Sequence, residues 1–179
     1  MKTAIIAVTA AGRELALRIS RELSGAEVLS YKQGVRKALE QAWNSYDSIV
    51  CVMAAGIVVR CLNGLCRSKY HDPCIVVVDE TGRHAISLLS GHIGGANSLA
   101  GKIADICGGT PVITTASDVS GQTAVDLWTV DENLAVANPE SLAETSEKLL
   151  EHGVLKVYQQ ANYIKSLPKD FQACTNRQD

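Results

Sequence analysis

The sequence predicts an α/β fold in three layers, with a mixed but mostly parallel sheet between helices on both faces. Short apolar segments such as residues 3–8 and 48–53 lack polar alternation, which is typical of strands buried on both faces. They alternate with segments whose apolar residues recur every three to four positions, which is typical of helices. Strands that alternate with helices form parallel sheets with right-handed crossovers.

The elements follow in order along residues 1–133, which we interpret as one N-terminal domain. We predict strands at residues 3–8, 27–30, 48–53, 74–78, 84–89 and 111–115, and helices at residues 13–23, 35–43, 57–62 and 96–107. Only a short turn separates the strands at 74–78 and 84–89, so this pair is expected to be an antiparallel hairpin within the otherwise parallel sheet.

Residues 134–179 are predicted to begin a second unit, made of a helix and a polar tail. The segment 134–151 is amphipathic and predicts a helix, and residues 155–158 predict one more strand. From Gln159 to Asp179 the chain is polar and has no period. We therefore expect this tail to be poorly ordered.

Composition excludes several classes of function. The 179 residues carry a formal net charge of −2 and only 4% aromatic residues, which argues against nucleic-acid and membrane partners. No apolar run approaches the roughly 20 residues of a membrane span, and no signal peptide is recognisable. We expect a cytoplasmic protein that acts on a small molecule, and a homo-oligomer remains open.

Cysteine and histidine spacing predicts no metal site. The six cysteines contain no C-x-x-C pair, and the closest two, Cys61 and Cys66, are not followed by a second pair. Cys51 and Cys107 lie in apolar runs and are interpreted as buried hydrophobic residues. The histidines at 71, 84 and 152 have no partner at ligand spacing.

A glycine-rich turn between a predicted strand and a predicted helix is the main candidate site. In Ser90 to Gly95, three glycines surround His92. Glycines let a ligand approach the backbone, and the start of the next helix offers N–H groups to an anion. His92 is a candidate general base, because histidine exchanges protons near neutral pH. Alternatively, His92 only holds the turn closed. Asp72 and Asp118 are the competing bases.

Five distinctive segments follow one another in a fixed order. They are M-A-A-G-I-V-V-R at 53–60, Lys69 with Asp72-Pro73, V-V-V-D-E-x-G at 76–82, L-L-S-G-H-I-G-G-A-N-x-L-A at 88–100 and P-V-I-T-T-A-x-D at 111–118. Together they resemble the cobalt-precorrin-5A hydrolase family, the CbiG family of anaerobic cobalamin biosynthesis. The resemblance is dense from about residue 48 to residue 126, and its longest string is unusual enough to make chance a poor explanation.

The resemblance implies a reaction and its substrate. The substrate is a cobalt-bearing tetrapyrrole whose ring-A acetate is closed as a lactone, and water opens the lactone with loss of acetaldehyde. No cofactor is implied, because cobalt enters as part of the substrate. Family members usually carry a further C-terminal domain that opens on a strand followed by G-I-G-C-R. No segment of this sequence matches it, so we expect a longer protein or a separate chain to supply that domain. The resemblance also implies other enzymes of cobalamin biosynthesis as partners.

The substrate is rich in acetate and propionate arms, which require cations and backbone donors. We expect the site at the carboxyl ends of the strands that end near Met53, Leu89 and Thr115. The candidate catalytic residues are His92 and Asp118. The candidate substrate-binding residues are Gly56, Arg60, Lys69, Asp72, Ser90, Gly91, Gly94, Gly95, Asn97, Thr114 and Thr115.

Structural roles stay open for several of these residues. Arg60 could be a solvated cap at a helix C-terminus, and Lys69 and Asp72 could form a surface ion pair. Asn97 could bond the glycine turn, and the two threonines could cap a turn.

Two other functions remain open. The chain could bind the tetrapyrrole without catalysis, or it could bind a nucleotide phosphate, although it lacks the lysine of a P-loop and the spacing G-x-G-x-x-G.

Overall fold

The structure is a computed structural model that describes residues 1–68, 71–161 and 163–176. The chain forms two compact units, Met1–Ile113 and Thr114–Asp179. This division falls before the boundary expected after residue 133. The difference arises because two short helices, Ala116–Ser120 and Val125–Asp131, pack against the helix Leu142–His152.

The first unit is a six-stranded sheet between two pairs of helices. The strands are β1 (Thr3–Ala7), β2 (Ala26–Val28), β3 (Ser48–Val52), β4 (Cys74–Val78), β5 (His84–Leu89) and β6 (Thr110–Val112), and the helices are α1 (Ala10–Glu22), α2 (Val35–Trp43), α3 (Ala55–Leu62) and α4 (Ala96–Cys107). The strand order is β2-β1-β3-β4-β5-β6. Every neighbouring pair is parallel except β4 and β5. The predicted mixed, mostly parallel sheet is confirmed.

Alternate residues of the buried strands supply two separate cores. On one face, α1 and α4 pack over side chains such as Val50 and Val76. On the other face, α2 and α3 pack over their sequence neighbours, including Ile49 and Val77. Since both faces are covered, β1, β3 and β4 are apolar without alternation. The three-layer arrangement is therefore confirmed.

The β4–β5 hairpin is closed by the carboxylate of Asp79. This carboxylate accepts hydrogen bonds from the backbone N–H groups of Thr81, Arg83 and His84 and from the Thr81 hydroxyl. Burial alone would raise the pKa of Asp79, but these hydrogen bonds outweigh it and lower the pKa to about 2. The predicted antiparallel pairing is confirmed, with Val77 opposite Ile86.

The second unit contains three helices and a pair of parallel strands in its described part. They are α5 (Ala116–Ser120), α6 (Val125–Asp131), α7 (Leu142–His152), which follows a 3-10 turn at Pro139–Ser141, β7 (Leu155–Tyr158) and β8 (Phe171–Cys174). The predicted strand at 155–158 is confirmed.

The expectation of a poorly ordered tail after Gln159 is wrong for β8. Phe171 is buried in the second unit's core, and its ring contacts Trp128 edge to face. The adjoining Asp170 accepts two hydrogen bonds from Thr123, at 2.7 Å from the backbone N–H and 2.6 Å from the hydroxyl. The helix predicted over 134–151 is shorter and begins at Leu142.

Candidate functional site

The strand ends that were expected to converge lie at opposite edges of the sheet. Since β1, β3 and β4 are parallel, they all end at one edge, which we call the carboxyl-end edge. Because β5 is antiparallel to β4, Leu89 at its end pairs with Ile75 near the start of β4. The glycine turn therefore leaves the opposite edge, and the expectation that the ends near Met53 and Leu89 share one site is wrong.

The glycine turn, residues Ser90 to Gly95, has an unusual backbone. Ser90 adopts a positive φ of 57°, which non-glycine residues rarely do, and Gly95 has a φ of 85°. A side chain at position 94 would have its Cβ only 2.4 Å from the Cβ of Ser90. Close backbone packing thus explains Gly94, and a left-handed conformation explains Gly95.

The donors of this turn are largely used within it. The N–H groups of Gly95, Ala96 and Asn97 donate to the carbonyl oxygens of His92, Ser90 and Gly91, at 2.8, 3.1 and 3.0 Å. An incoming anion would have to displace these carbonyl oxygens. The expectation that the start of α4 offers its N–H groups to a carboxylate is therefore wrong for Ala96 and Asn97.

Polar side chains fix the turn to its surroundings. The Ser87 hydroxyl donates to Oδ1 of Asn97 at 2.6 Å, and the Ser90 hydroxyl donates to the carbonyl of Asp72 at 3.3 Å. The buried carboxylate of Asp72 accepts from the backbone N–H groups of Arg67 and Ser68, at 2.8 and 3.0 Å for Oδ2. These contacts give Asn97 and Asp72 structural roles. Lys69 lies outside the described residues, so its predicted pairing with Asp72 stays a prediction.

His92 lies half-buried in the glycine turn. Its backbone carbonyl accepts the N–H of Gly95, so its position is set by the turn itself. A polar groove of about 580 Å³ runs beside the turn and is lined by Ile93, Gly94, residues 71–73 and residues 43–47. The groove includes His71, for which the sequence suggested no role.

A second cavity lies at the carboxyl-end edge beside Met53, where part of the site was expected, but none of its lining residues was among the candidates. We call it the apolar cleft, and its volume is about 540 Å³. Four polar residues, Thr9, Asp79, Glu80 and His84, also line it. Its apolar lining includes Val8, Met53, Ile57, Val77, Ile86 and Val112. This position agrees with the rule that open α/β sheets bind ligands beyond the carboxyl ends of their strands.

Gly56 and Arg60 lie on α3, which starts at the carboxyl-end edge. The Arg60 side chain folds back along the helix, so that its Nη1 lies 3.4 Å from where a Cβ on Gly56 would be. Ala54 precedes the helix and has no side chain that can cap it. The guanidinium and the first turn of α3 are thus next to each other.

The remaining candidates belong to the second unit. The predicted strand 111–115 ends at Val112, and Thr114 begins the second unit. Thr115 is the residue before α5, and Asp118 lies in the first turn of that helix. The two threonines therefore do not end a strand of the sheet.

Within the described ranges, no group of three or more His, Cys, Asp or Glu side chains converges as metal ligands would. Nor is any helix of the described chain both long and apolar enough to cross a membrane.

Comparison with models of protein families shows which family this chain is related to. Residues 37–118 match the family model described as cobalamin synthesis G N-terminal. This chain carries the N-terminal region of the CbiG family. The matched segment runs from α2 past the glycine turn into α5, so it includes both the turn and α3. The predicted family is confirmed.

CbiG relatives with curated descriptions agree. A cobalt-precorrin-5A hydrolase of Salmonella typhimurium is 37% identical over 131 residues, which is 73% of this chain and 37% of the relative. Another from Priestia megaterium is 34% identical over 173 residues, covering 80% of this chain and 46% of the relative. The chain thus spans less than half the length of these two relatives.

A solved structure has the same fold. It is described as a cobalamin biosynthesis protein G homologue from Sulfolobus solfataricus and matches with a TM-score of 0.57 at 21% identity. The match covers 99% of this chain and 57% of that chain. This likeness supports the α/β architecture.

Proposed function

We propose that this chain is the N-terminal part of a cobalt-precorrin-5A hydrolase of anaerobic cobalamin biosynthesis. The observation that carries the proposal is the 34–37% identity, over most of the chain, to two relatives with that description. The family match also spans the glycine turn, the segment that organises the predicted site. Because the relatives are longer, the C-terminal part of the enzyme is a necessary partner in this proposal.

The proposed reaction hydrolyses the ring-A lactone. Water adds to the lactone carbonyl, the resulting oxyanion collapses, and the bond to the ring oxygen breaks, leaving a carboxylate and a free hydroxyl. The hydroxyl then loses its proton as the carbon–carbon bond to the macrocycle breaks. Acetaldehyde leaves, and the electron pair passes into the macrocycle. Cobalt is part of the substrate, so the protein needs no metal of its own.

Two of these steps require a base, and His92 is our first candidate. The turn supports this role because a hydrogen bond from Gly95 fixes the backbone at His92, and the residue is half-buried. Asp118 is the second candidate. Asp72 is a weaker one, because its carboxylate already accepts backbone hydrogen bonds.

The alternative is a binding module that holds the tetrapyrrole while the C-terminal part performs the chemistry. The engaged donors of the glycine turn favour this alternative, since the N–H groups of Gly95, Ala96 and Asn97 are not available to an oxyanion. The same engagement argues against nucleotide-phosphate binding at this turn.

The first test is production of acetaldehyde from cobalt-precorrin-5A. The chain is assayed alone and together with the C-terminal part of the Salmonella relative. Acetaldehyde in either assay supports the proposed function, and its absence from both overturns it.

The second test uses His92→Ala, with His152→Ala as a control because His152 is an exposed residue of α7. Catalysis by His92 predicts a fall in kcat of about 100-fold or more with unchanged binding. Lost binding with normal turnover at saturation indicates the binding module instead.

A further inference from the structure

We propose that the apolar cleft at the carboxyl-end edge binds one face of the corrinoid macrocycle, and that Arg60 and the first turn of α3 bind one of its carboxylate arms. The identity of the ligand rests on the proposed function. The location rests on the geometry of the first unit, and it places the substrate at the edge opposite the glycine turn.

The floor of the cleft is a row of three branched side chains in register. Val77 pairs with Ile86 across β4 and β5, and Ile86 pairs with Val112 across β5 and β6. Side chains paired in this way share one face of the sheet. They form an apolar strip across three strands, and its half-buried part, Ile86 and Val112, suits one face of a macrocycle.

Helix packing leaves only the outer part of this strip accessible, because Ile86 and Val112 are half-buried whereas Val77 is buried. On the opposite face, α4 packs against β4, β5 and β6. On the face of the strip, α3 packs against β4 and contributes Ile57 to the side of the cleft. Met53, at the end of β3, completes that side.

The volume also fits a small molecule. Ligand cavities usually measure about 300–1,000 Å³ and are mostly apolar with a few polar groups. At about 540 Å³, the cleft can take up part of a tetrapyrrole.

The two helices whose N-termini line the cleft, α1 and α3, differ in which groups cap them. At α1, the Thr9 hydroxyl accepts the N–H of Gly12 at 2.9 Å and donates to Glu80 at 2.8 Å. At α3, Ala54 offers no capping side chain, and its carbonyl accepts the N–H of Ile57 at 2.9 Å. The first N–H groups of a helix have no acceptor within it, so the donors left for an anion are those of Ala55 and Gly56. At α1, the Glu80 carboxylate already lies at the capping hydroxyl, and an anion is therefore expected at α3.

Arg60 supplies the matching positive charge. Its guanidinium lies over Gly56 in the first turn of α3, where the helix dipole is also positive. The positive end of the helix dipole does not stabilise a cation, whereas a carboxylate bound there would be attracted by both the dipole and the Arg60 guanidinium. Arginine can also hold a carboxylate through two parallel hydrogen bonds.

The acidic side chains orient the ligand. Asp79 and Glu80 line the cleft at the β4–β5 hairpin, and their carboxylates accept hydrogen bonds from the protein. Their charges would repel a carboxylate arm from that side. The arm is therefore expected at α3, with the apolar face of the macrocycle over Ile86.

A binding measurement tests whether the cleft takes up a corrinoid, independently of the hydrolysis assay. The probes are cobyrinic acid, a cobalt corrinoid with free carboxylate arms, and its methyl ester, whose arms are uncharged. Each is titrated into the chain and followed by corrinoid absorbance. We expect saturable binding of cobyrinic acid by the chain, and its absence at millimolar ligand overturns the proposal.

Two variants separate the charged and apolar contacts. Arg60→Gln should weaken cobyrinic acid binding about tenfold and leave ester binding unchanged, whereas Arg60→Lys should weaken it less. Ile86→Ser should weaken both probes at least tenfold. Arg36→Gln is the matched control, because Arg36 is an exposed arginine of α2 paired with Glu40. Circular dichroism and thermal unfolding check that each variant is folded.

Several results would overturn the proposal that the apolar cleft binds the macrocycle. Binding that is unaffected by both Arg60→Gln and Ile86→Ser, or lost only in His92→Ala, places the ligand elsewhere. If only the ester bound, the carboxylate contact would be wrong. The two proposals fail in different ways. If the variants weaken corrinoid binding but no acetaldehyde is produced, the proposed function is wrong and the binding place stands. If acetaldehyde is produced but neither variant changes binding, only the proposed binding place is wrong.

Discussion

Gly94 packs so closely on Ser90 that a Cβ at position 94 would lie 2.4 Å from the Ser90 Cβ and 2.7 Å from the Ser90 carbonyl oxygen. That carbonyl accepts the N–H of Ala96, so the contact also fixes the start of α4. Only glycine fits at position 94 without displacing the turn.

Gly94→Ala is therefore expected to lower the free energy of unfolding by about 1–3 kcal/mol, the usual range for overpacking. Urea unfolding measures it. Gly101→Ala in α4 is the matched control, since a Cβ there meets no atom within 4 Å. Alanine in place of glycine inside a helix should stabilise the protein by up to about 1 kcal/mol. Equal effects of the two substitutions would contradict the close packing.

In the second unit, Asp170 joins β8 to the segment before α6 through Thr123. Asp170→Ala should destabilise this unit by about 1.5–3 kcal/mol, as expected for hydrogen bonds to a charged group. Hydrogen exchange of the β7 and β8 amides measures the effect. Thr123→Val removes only the hydroxyl, so it should cost less. If Asp170→Ala left the exchange of β8 unchanged, the contact would not hold the strand.

The same carboxylate predicts a pH dependence. Burial alone would raise the pKa of Asp170, but the hydrogen bonds from Thr123 outweigh it and lower the pKa below its usual value of 3.8. The ionised form is therefore favoured by folding, and its contribution is lost as the pH falls from 3.8 toward the lowered pKa. The protection of the β8 amides relative to intrinsic exchange should fall in that range, and Asp170→Asn should remove the dependence.

Asp79 makes the corresponding prediction for the first unit. Its pKa of about 2 lies below the usual 3.8, so the hairpin is stabilised above pH 3.8 and loses that contribution as the pH falls through 2. Asp79→Asn should flatten the acid limb of the stability curve, measured by urea unfolding from pH 5 to pH 2. Asp105→Asn, at an exposed position of α4, should leave it unchanged. A wild-type curve without an acid limb would contradict this assignment.

The thiols should differ in reactivity. Burial raises the pKa of both Cys51 and Cys74 to about 12, so neither forms thiolate near pH 8. Cys66 is exposed, although burial of its sulfur also raises its pKa. With iodoacetamide at pH 8, mass spectrometry should show Cys66 modified well before Cys51 and Cys74. Rapid modification of Cys51 in the folded protein would contradict its burial.

Much of the first unit could be predicted because its elements have strong patterns. The helix bounds at 35–43 and 96–107 and the strand bounds at 74–78 and 84–89 match the structure. Their apolar residues follow one period, and glycine or polar turns end them. The elements of the second unit were harder to predict. Its helices α5 and α6 have five and seven residues, too few to show a period.

The candidate site shows a different limit. Glycine content indicated a turn whose backbone a ligand can approach closely, but the close neighbour of Gly94 is Ser90 of the same turn. Composition does not show which acceptor each N–H finds. In the turn, the acceptors are the carbonyl oxygens of Ser90, Gly91 and His92, so the turn is closed by its own hydrogen bonds.

By itself, the sequence determined the α/β class, the antiparallel hairpin, the glycine turn and the CbiG relationship, because each depends on local pattern or on strings of adjacent residues. Only the tertiary structure decided which strand ends meet. One antiparallel pairing, β4 with β5, places the glycine turn at one edge and the first turn of α3 at the other. The apolar cleft depends on register across β4, β5 and β6, which long-range packing sets and no local pattern contains.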